Sequence, residues 1–110
     1  MAIVNAQLTT TDLNILTVPL GKTYAVTNIL VCNNSDTDSA SFDLHFLSGQ
    51  PKNNNITRVI NNLELTAQET FTFDSERIIL SEGDTILFVA EPDTGSGLTD
   101  LSATVSYLEV

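Results

Sequence analysis

Tryptophan is missing from this chain, and cysteine, histidine and methionine occur once each. With Cys32 alone there can be no internal disulfide, and its place at the end of the apolar run Ile29 Leu30 Val31 Cys32 marks it as a small buried hydrophobe. Positive charge is scarce as well. Lys22, Lys52, Arg58 and Arg77 face fourteen carboxylates, for a formal net charge of −10. Phosphate binding needs clustered Lys and Arg, so neither nucleic acid nor an anionic membrane is expected as a partner. No apolar run approaches the ~20 residues of a spanning helix, and residues 1–7 lack the basic start and apolar stretch of a secretion signal, so synthesis in a cytoplasm is expected. The glycosylation patterns at Asn33 and Asn55 are discounted for the same reason.

These shortages bear on chemistry. A hydrolytic triad would have to use His45, which falls on the outward side of an alternating strand, where a solvated residue is expected instead of a general base. Gly95 Ser96 Gly97 lacks the spacing of a nucleophile elbow, and no carboxylate pair is walled by aromatics that would raise a catalytic pKa. Asn34, Asp36 and Asp38 copy the first ligand positions of a calcium loop. Ser39 replaces the required Gly, however, and His45 the bidentate Glu, so a solvated Asx-rich turn is the expectation and no catalytic, cofactor-binding or metal residue is assigned. The sequence predicts a protein that is not an enzyme and needs no cofactor.

What is present is β-forming. Hydrophobic residues make up 42% of the 110 and charged ones 16%, so the polarity comes from Thr, Ser and Asn. The most informative stretch is Leu80 Ser81 Glu82 Gly83 Asp84 Thr85 Ile86. A β-branched strand enters it from Arg77, the polar residues reverse the chain in a hairpin with Gly83 supplying positive φ, and Thr85 to Ala90 leaves it. Ile86, Phe88 and Ala90 alternate with Leu87 and Val89, so this strand is apolar on both faces and belongs in the centre of a sheet.

Taken in order, residues 2–8 alternate as a first strand or arm, and residues 14–18 form a second short strand ended by Pro19. Pro19 Leu20 Gly21 Lys22 then turns the chain, as a type II turn, into the longest strand, about Thr23 to Cys32. That strand reads as Tyr24, Val26, Leu30 and Cys32 on one face, with Ala25, Ile29 and Val31 on the other. Residues 33–39 are a loop. Phe42, Leu44 and Phe46 alternate inward against Ser41, Asp43 and His45, a strand with one wet face. Residues 48–55 form an exposed loop, the stretch expected to be mobile, and residues 56–67 two short strands with a bend at Asn61 Asn62. Phe71 and Phe73 alternate with Thr70 and Thr72 before a turn at Asp74 Ser75 Glu76. A second exposed loop runs from Glu91 to Leu98, and Leu101, Ala103, Val105 and Tyr107 alternate with Ser102, Thr104 and Ser106 in a last strand. Turn signals at roughly 8 to 12 residue intervals, with no helical stretch, predict an all-β fold: one antiparallel β-sandwich, jelly-roll or Ig-like, over residues 19–110, preceded by an N-terminal strand or arm over 1–18.

From Val18 onward the chain resembles small β-sandwich structural proteins of tailed bacteriophages. The residues that carry this are Val18 Pro19 Leu20 Gly21 Lys22 leading to Ile29 Leu30 Val31 Cys32 Asn33, then Leu80 to Ile86, then Ser106 Tyr107 Leu108 Glu109. The resemblance implies a non-enzymatic virion component, foremost a capsid decoration or cement protein, with a neck, tail or fibre-base component as the nearest rival. A carbohydrate-binding module is the reading from another class, and only Tyr24 and Tyr107 remain to form its aromatic platform. Two strands apolar on both faces exceed what one two-layer core can cover, which predicts a homo-oligomer, a trimer favoured, with the N-terminal arm as the competing cover.

Overall fold

The computed structural model describes residues 2–73, 78–91 and 98–110, and within them every regular element is a strand. These are β1 (Ala2–Thr9), β2 (Leu13–Thr17), β3 (Thr23–Asn33), β4 (Ala40–Ser48), β5 (Arg58–Leu65), β6 (Thr70–Phe73), β7 (Ile78–Ser81), β8 (Asp84–Glu91) and β9 (Leu98–Glu109). The expected turn at 74–76 and the loop at 92–97, with Gly95 Ser96 Gly97, lie outside the described residues. One sheet has the order β1-β9-β3-β6 with β7 also on β3, and the other has β2-β8-β4-β5. All pairings are antiparallel.

The pairings are nested: β1 with β9, β2 with β8, β3 with β6 and β7, and β4 with β5. A long hairpin that pairs in this way and then rolls so that β3 meets β9 and β4 meets β8 is a jelly roll, with β6 and β7 as one interrupted strand. The fold is therefore the all-β sandwich expected. β1 and β2 are integral strands of the two sheets, β1 lying edge to edge with β9 instead of over a face.

Between the sheets lies one apolar core, and alternation put most of its residues there. Phe42, Leu44, Ile86, Phe88, Leu101, Ala103 and Val105 are fully or almost fully buried, with Phe46, Phe71, Phe73 and Tyr107 packed at its margin. The Phe42 ring lies 5.9 Å from that of Phe88 and 6.0 Å from that of Phe71, within the range where tilted aromatic pairs attract.

Three local features depart from the sequence reading, and the Pro19–Lys22 turn agrees with it. The turn at 81–84 is not a hairpin, because β7 belongs to the first sheet and β8 to the second. It is a corner: Gly83 has φ 84°, the Ser81 N–H donates to Asp84 Oδ2 at 2.9 Å, and the Gly83 N–H donates to Val18 O at 3.0 Å. The Pro19–Lys22 turn is a second corner, closed by the Lys22 N–H on Pro19 O with Gly21 at φ 79°, as type II geometry requires. In β3 a bulge at Thr27 shifts the register between Val26 and Asn28. The faces exchange there, so Val26, Ile29, Val31 and Asn33 point inward while Leu30 and Cys32 point out. Cys32 is consequently half-exposed, its thiol 3.4 Å from Asn34 Oδ1, and is not the buried hydrophobe expected. Residues 58–65 form a single strand with a bulge, not two strands. Asn62 takes φ 54° there, and its N–H donates to Asp43 Oδ1 at 2.6 Å.

Candidate interaction surfaces

Each sheet turns one face to the core and one outward, and the two outward faces differ. On the β2-β8-β4-β5 sheet, register places Asn14, Leu87, His45 and Arg58 in one row. Leu87 is 3% exposed and His45 1%, although neither points into the core. Among the described residues, the segment fastened on this side is 49–57. This segment leaves β4 at Ser48, reaches Asp12 through Lys52 Nζ to Asp12 Oδ1 at 2.7 Å, and returns beside β4, where Thr57 O accepts the Phe46 N–H at 3.0 Å. Asp12 precedes β2, and β8 separates β2 from β4, so the strap crosses the outside of β8 over Leu87.

The strap is anchored from within. Asn53 opens a tight turn in which its carbonyl accepts the Thr57 N–H at 2.8 Å and its Oδ1 accepts the Asn55 N–H at 2.9 Å. Thr57 Oγ1 accepts the Asn53 N–H at 3.0 Å, donates to Asn53 O at 2.9 Å and lies 2.8 Å from His45 Nδ1. The hydroxyl proton can go to Asn53 O or to the ring, so Thr57 Oγ1 can either donate to or accept from His45 Nδ1, and the ring is held at this nitrogen in either tautomer. The solvated position expected for His45 is thus corrected. Burial, helped by the nearby Lys52 and Arg58 cations and opposed by Asp43 and Asp12, lowers its pKa below the ordinary 6.5. Neither His45 nor Thr57 reaches solvent, so the pair ties the strap down and offers no nucleophile and base to a substrate. Arg58 Nη1 also meets Asp43 Oδ2 at 3.4 Å on this side.

Among the described residues, the outward face of the β1-β9-β3-β6/β7 sheet is exposed on β1, β6 and β7 and half-buried along β3, where Asn28 Oδ1 is buried. Its register forms four rows: Gln7, Ser102, Cys32, Thr70; then Asn5, Thr104, Leu30, Thr72; then Ile3, Ser106, Asn28; then Leu108, Ala25, Ile79. Among these residues there is no charged side chain, in a protein with fourteen carboxylates. Among the described residues, charge stands at the ends of this face, as Asp100 and as the Lys22 Nζ to Glu109 Oε2 pair at 3.1 Å. The last two rows carry an apolar stripe, Ile3 65% exposed, Ile79 55% and Leu108 37%. Val110 follows, 70% exposed, its N–H donating to Thr23 O. At Thr27 the hydroxyl lies 2.7 Å from Ser106 Oγ, fixing the bulge against β9.

The other residues singled out from sequence are scattered. Asn34 donates through Nδ2 to Ser102 Oγ at 3.2 Å, and Asp36 Oδ1 accepts from Gln68 Nε2 at 3.1 Å. Asp38 contributes its carbonyl to Asn33 Nδ2 at 2.9 Å. Among the described residues no three His, Cys, Asp or Glu side chains gather as metal ligands. Asn33, read from sequence as loop, is fully buried and donates also to Leu65 O and Thr66 O, tying the 33–38 loop to the end of β5. Tyr24 and Tyr107 stack on one another, centroids 4.6 Å apart, against the core margin, and do not form an outward platform. Comparison of the chain with protein-family models, with curated proteins and with solved structures finds no match.

Proposed function

We propose that this chain is a non-enzymatic structural subunit of a phage virion, a capsid decoration or cement protein. On this reading it is made in the host cytoplasm and carried in the particle in many copies, touching other copies of itself and the major virion proteins, in trimers. One observation carries the reading: in a jelly roll of net charge −10, the outward rows of one sheet carry no charged side chain among the described residues. Selection for solubility alone spreads charge over every exposed face, whereas a surface meant to be covered in an assembly is depleted of it. The mutual stacking of Tyr24 and Tyr107 removes the platform that a carbohydrate-binding module would use. The measurement that tests the reading is copy number in purified particles by quantitative mass spectrometry. A count that scales with the capsid lattice supports decoration, a handful per particle moves the protein to the neck, tail or fibre base, and no detectable peptide overturns the virion reading.

A further inference from the structure

We infer that the outward face of the β1-β9-β3-β6/β7 sheet is where this chain binds a second copy of itself, with the copies side by side and the same end up. The inference rests on the reading of the chain as a multicopy subunit and names the surface that makes it one. Two copies at −10 each repel, and burying any carboxylate between them adds a desolvation penalty. The four rows carry no charge among the described residues, so copies can approach there without that penalty. Their chemistry also suits a like partner. The hydroxyls of Thr70, Thr72 and Thr104 both donate and accept, so the same surface on another copy supplies complementary groups. A nucleic acid would need clustered cations, and among the described residues the four rows hold neither a cation for it nor a carboxylate for a basic protein.

The position of the apolar stripe sets the orientation. Ile3, Leu108 and Ile79 lie at one end of the face, beside the corner at 19–22, while the two rows at the opposite end are hydroxyl and amide apart from Cys32 and Leu30 on β3. Copies running head to tail would set stripe against hydroxyls. Copies related by an axis along the strands set stripe against stripe, and three such faces turned to one axis close a ring without leaving a stripe exposed.

The test compares four full-length proteins by analytical ultracentrifugation: the unaltered chain, Thr104→Asp, Thr104→Lys and, as a control away from this face, Asn54→Asp. Circular dichroism first establishes that each is folded. The expected result is a concentration-dependent oligomer for the unaltered chain and for Asn54→Asp, and association weakened about tenfold or more by both Thr104 variants. The Lys variant is informative because it lowers the net negative charge, so that net repulsion alone would strengthen its association. Orientation is read on Leu108→Cys in a Cys32→Ser background, where a short bismaleimide should link equivalent residues of two copies. A monomer at all concentrations up to the highest soluble one, an oligomer indifferent to both Thr104 variants, or an oligomer in which the Leu108→Cys protein gives no cross-link overturns the inference. Particle copy number reports on the virion reading independently, so either proposal can fail while the other stands.

Discussion

The two outward faces of this sandwich solve the same problem in opposite ways. β8 and β3 are both central strands with apolar residues on both sides, and neither can place both sides in one core. On the β8 side the chain covers itself: residues 49–57 lie over Leu87 and His45, fastened by Thr57 and Lys52. On the β3 side nothing among the described residues lies over Leu30, Ala25 or Ile79, and charge has been kept away. The lesson is that a strand apolar on both faces calls for a cover without saying whose. An intramolecular strap satisfies it as fully as a partner, so the argument for a neighbour is left to one sheet.

This difference is sharpest in the response to side-chain truncation. Leu87→Ala removes a 3% exposed side chain from beneath the strap and is expected to destabilise the protein by about 2 to 3 kcal/mol, through lost burial and an incompletely collapsed cavity. Leu108→Ala, at 37% exposure on the open face, should cost under about 1 kcal/mol in the isolated chain. Urea unfolding at low protein concentration, where association does not contribute, reads both. Equal losses would mean that the strap does not seal the β8 side.

The anchor beneath the strap can be broken next. Thr57→Val keeps the side-chain volume but removes the hydroxyl that His45 Nδ1, the Asn53 N–H and Asn53 O all engage. Buried donors left unpaired cost about 1 to 3 kcal/mol, and a loss of that order is expected in urea midpoints. The same node makes stability depend on pH. His45 has a folded pKa below the 6.5 of the unfolded chain, so the unfolded state takes up the proton first. The contribution of neutral His45 is therefore complete above 6.5 and declines as pH falls through the lowered folded value. Unfolding midpoints between about pH 7.5 and 5.5, where most carboxylates remain ionised, should drop with acid in the unaltered protein, and the slope should flatten in His45→Gln. A profile identical in both proteins would place the pH dependence elsewhere.

How far these features could be read in advance depended on whether the signal was local. The inward sides of β4, β6 and β9 were legible because alternation without interruption projects straight onto a pleated sheet: Phe42 and Leu44, Phe71 and Phe73, Leu101 to Tyr107 all face the core. Beyond Thr27 in β3 the same reasoning fails. A bulge adds one residue, and Thr27 has no residue type that marks it, so Ile29 and Val31 exchanged sides with Leu30 and Cys32. The Ser81 to Asp84 turn was legible as a turn with positive φ at Gly83, yet the same turn chemistry serves a hairpin and a corner between sheets. What distinguishes them is pairing with distant strands. His45 was misread for a related reason: its outward position is correct, but its cover comes from a loop whose Pro and Asn composition says only that it is not regular structure. The uncharged face was the least legible, since each strand contributes only a few Ser, Thr or Asn and their union needs the register of four pairings.

The smallest effect concerns the outer fastening of the strap. Lys52 Nζ and Asp12 Oδ1 are 2.7 Å apart, but their side chains are 32% and 50% exposed. A pair so open to water gains little Coulomb energy, is screened by salt, and loses side-chain entropy in holding one geometry. Lys52→Ala should therefore lower stability by no more than about 0.5 kcal/mol, and less at high salt. Its mechanical consequence is easier to see. With Lys52 released, the bonds from the strap to the sheet among the described residues are the Thr57 to His45 anchor and the Phe46 N–H to Thr57 O bond, both at its β5 end. Amide hydrogen exchange in residues 49–53 should then speed up while exchange in residues 85–89 of β8 stays near its original rate, because local opening of the strap is cheaper than unfolding the sheet beneath it. Faster exchange in β8 to the same degree would show that the strap and the sheet open as one unit, and the self-covered face would then be a part of the core and not a cover laid over it.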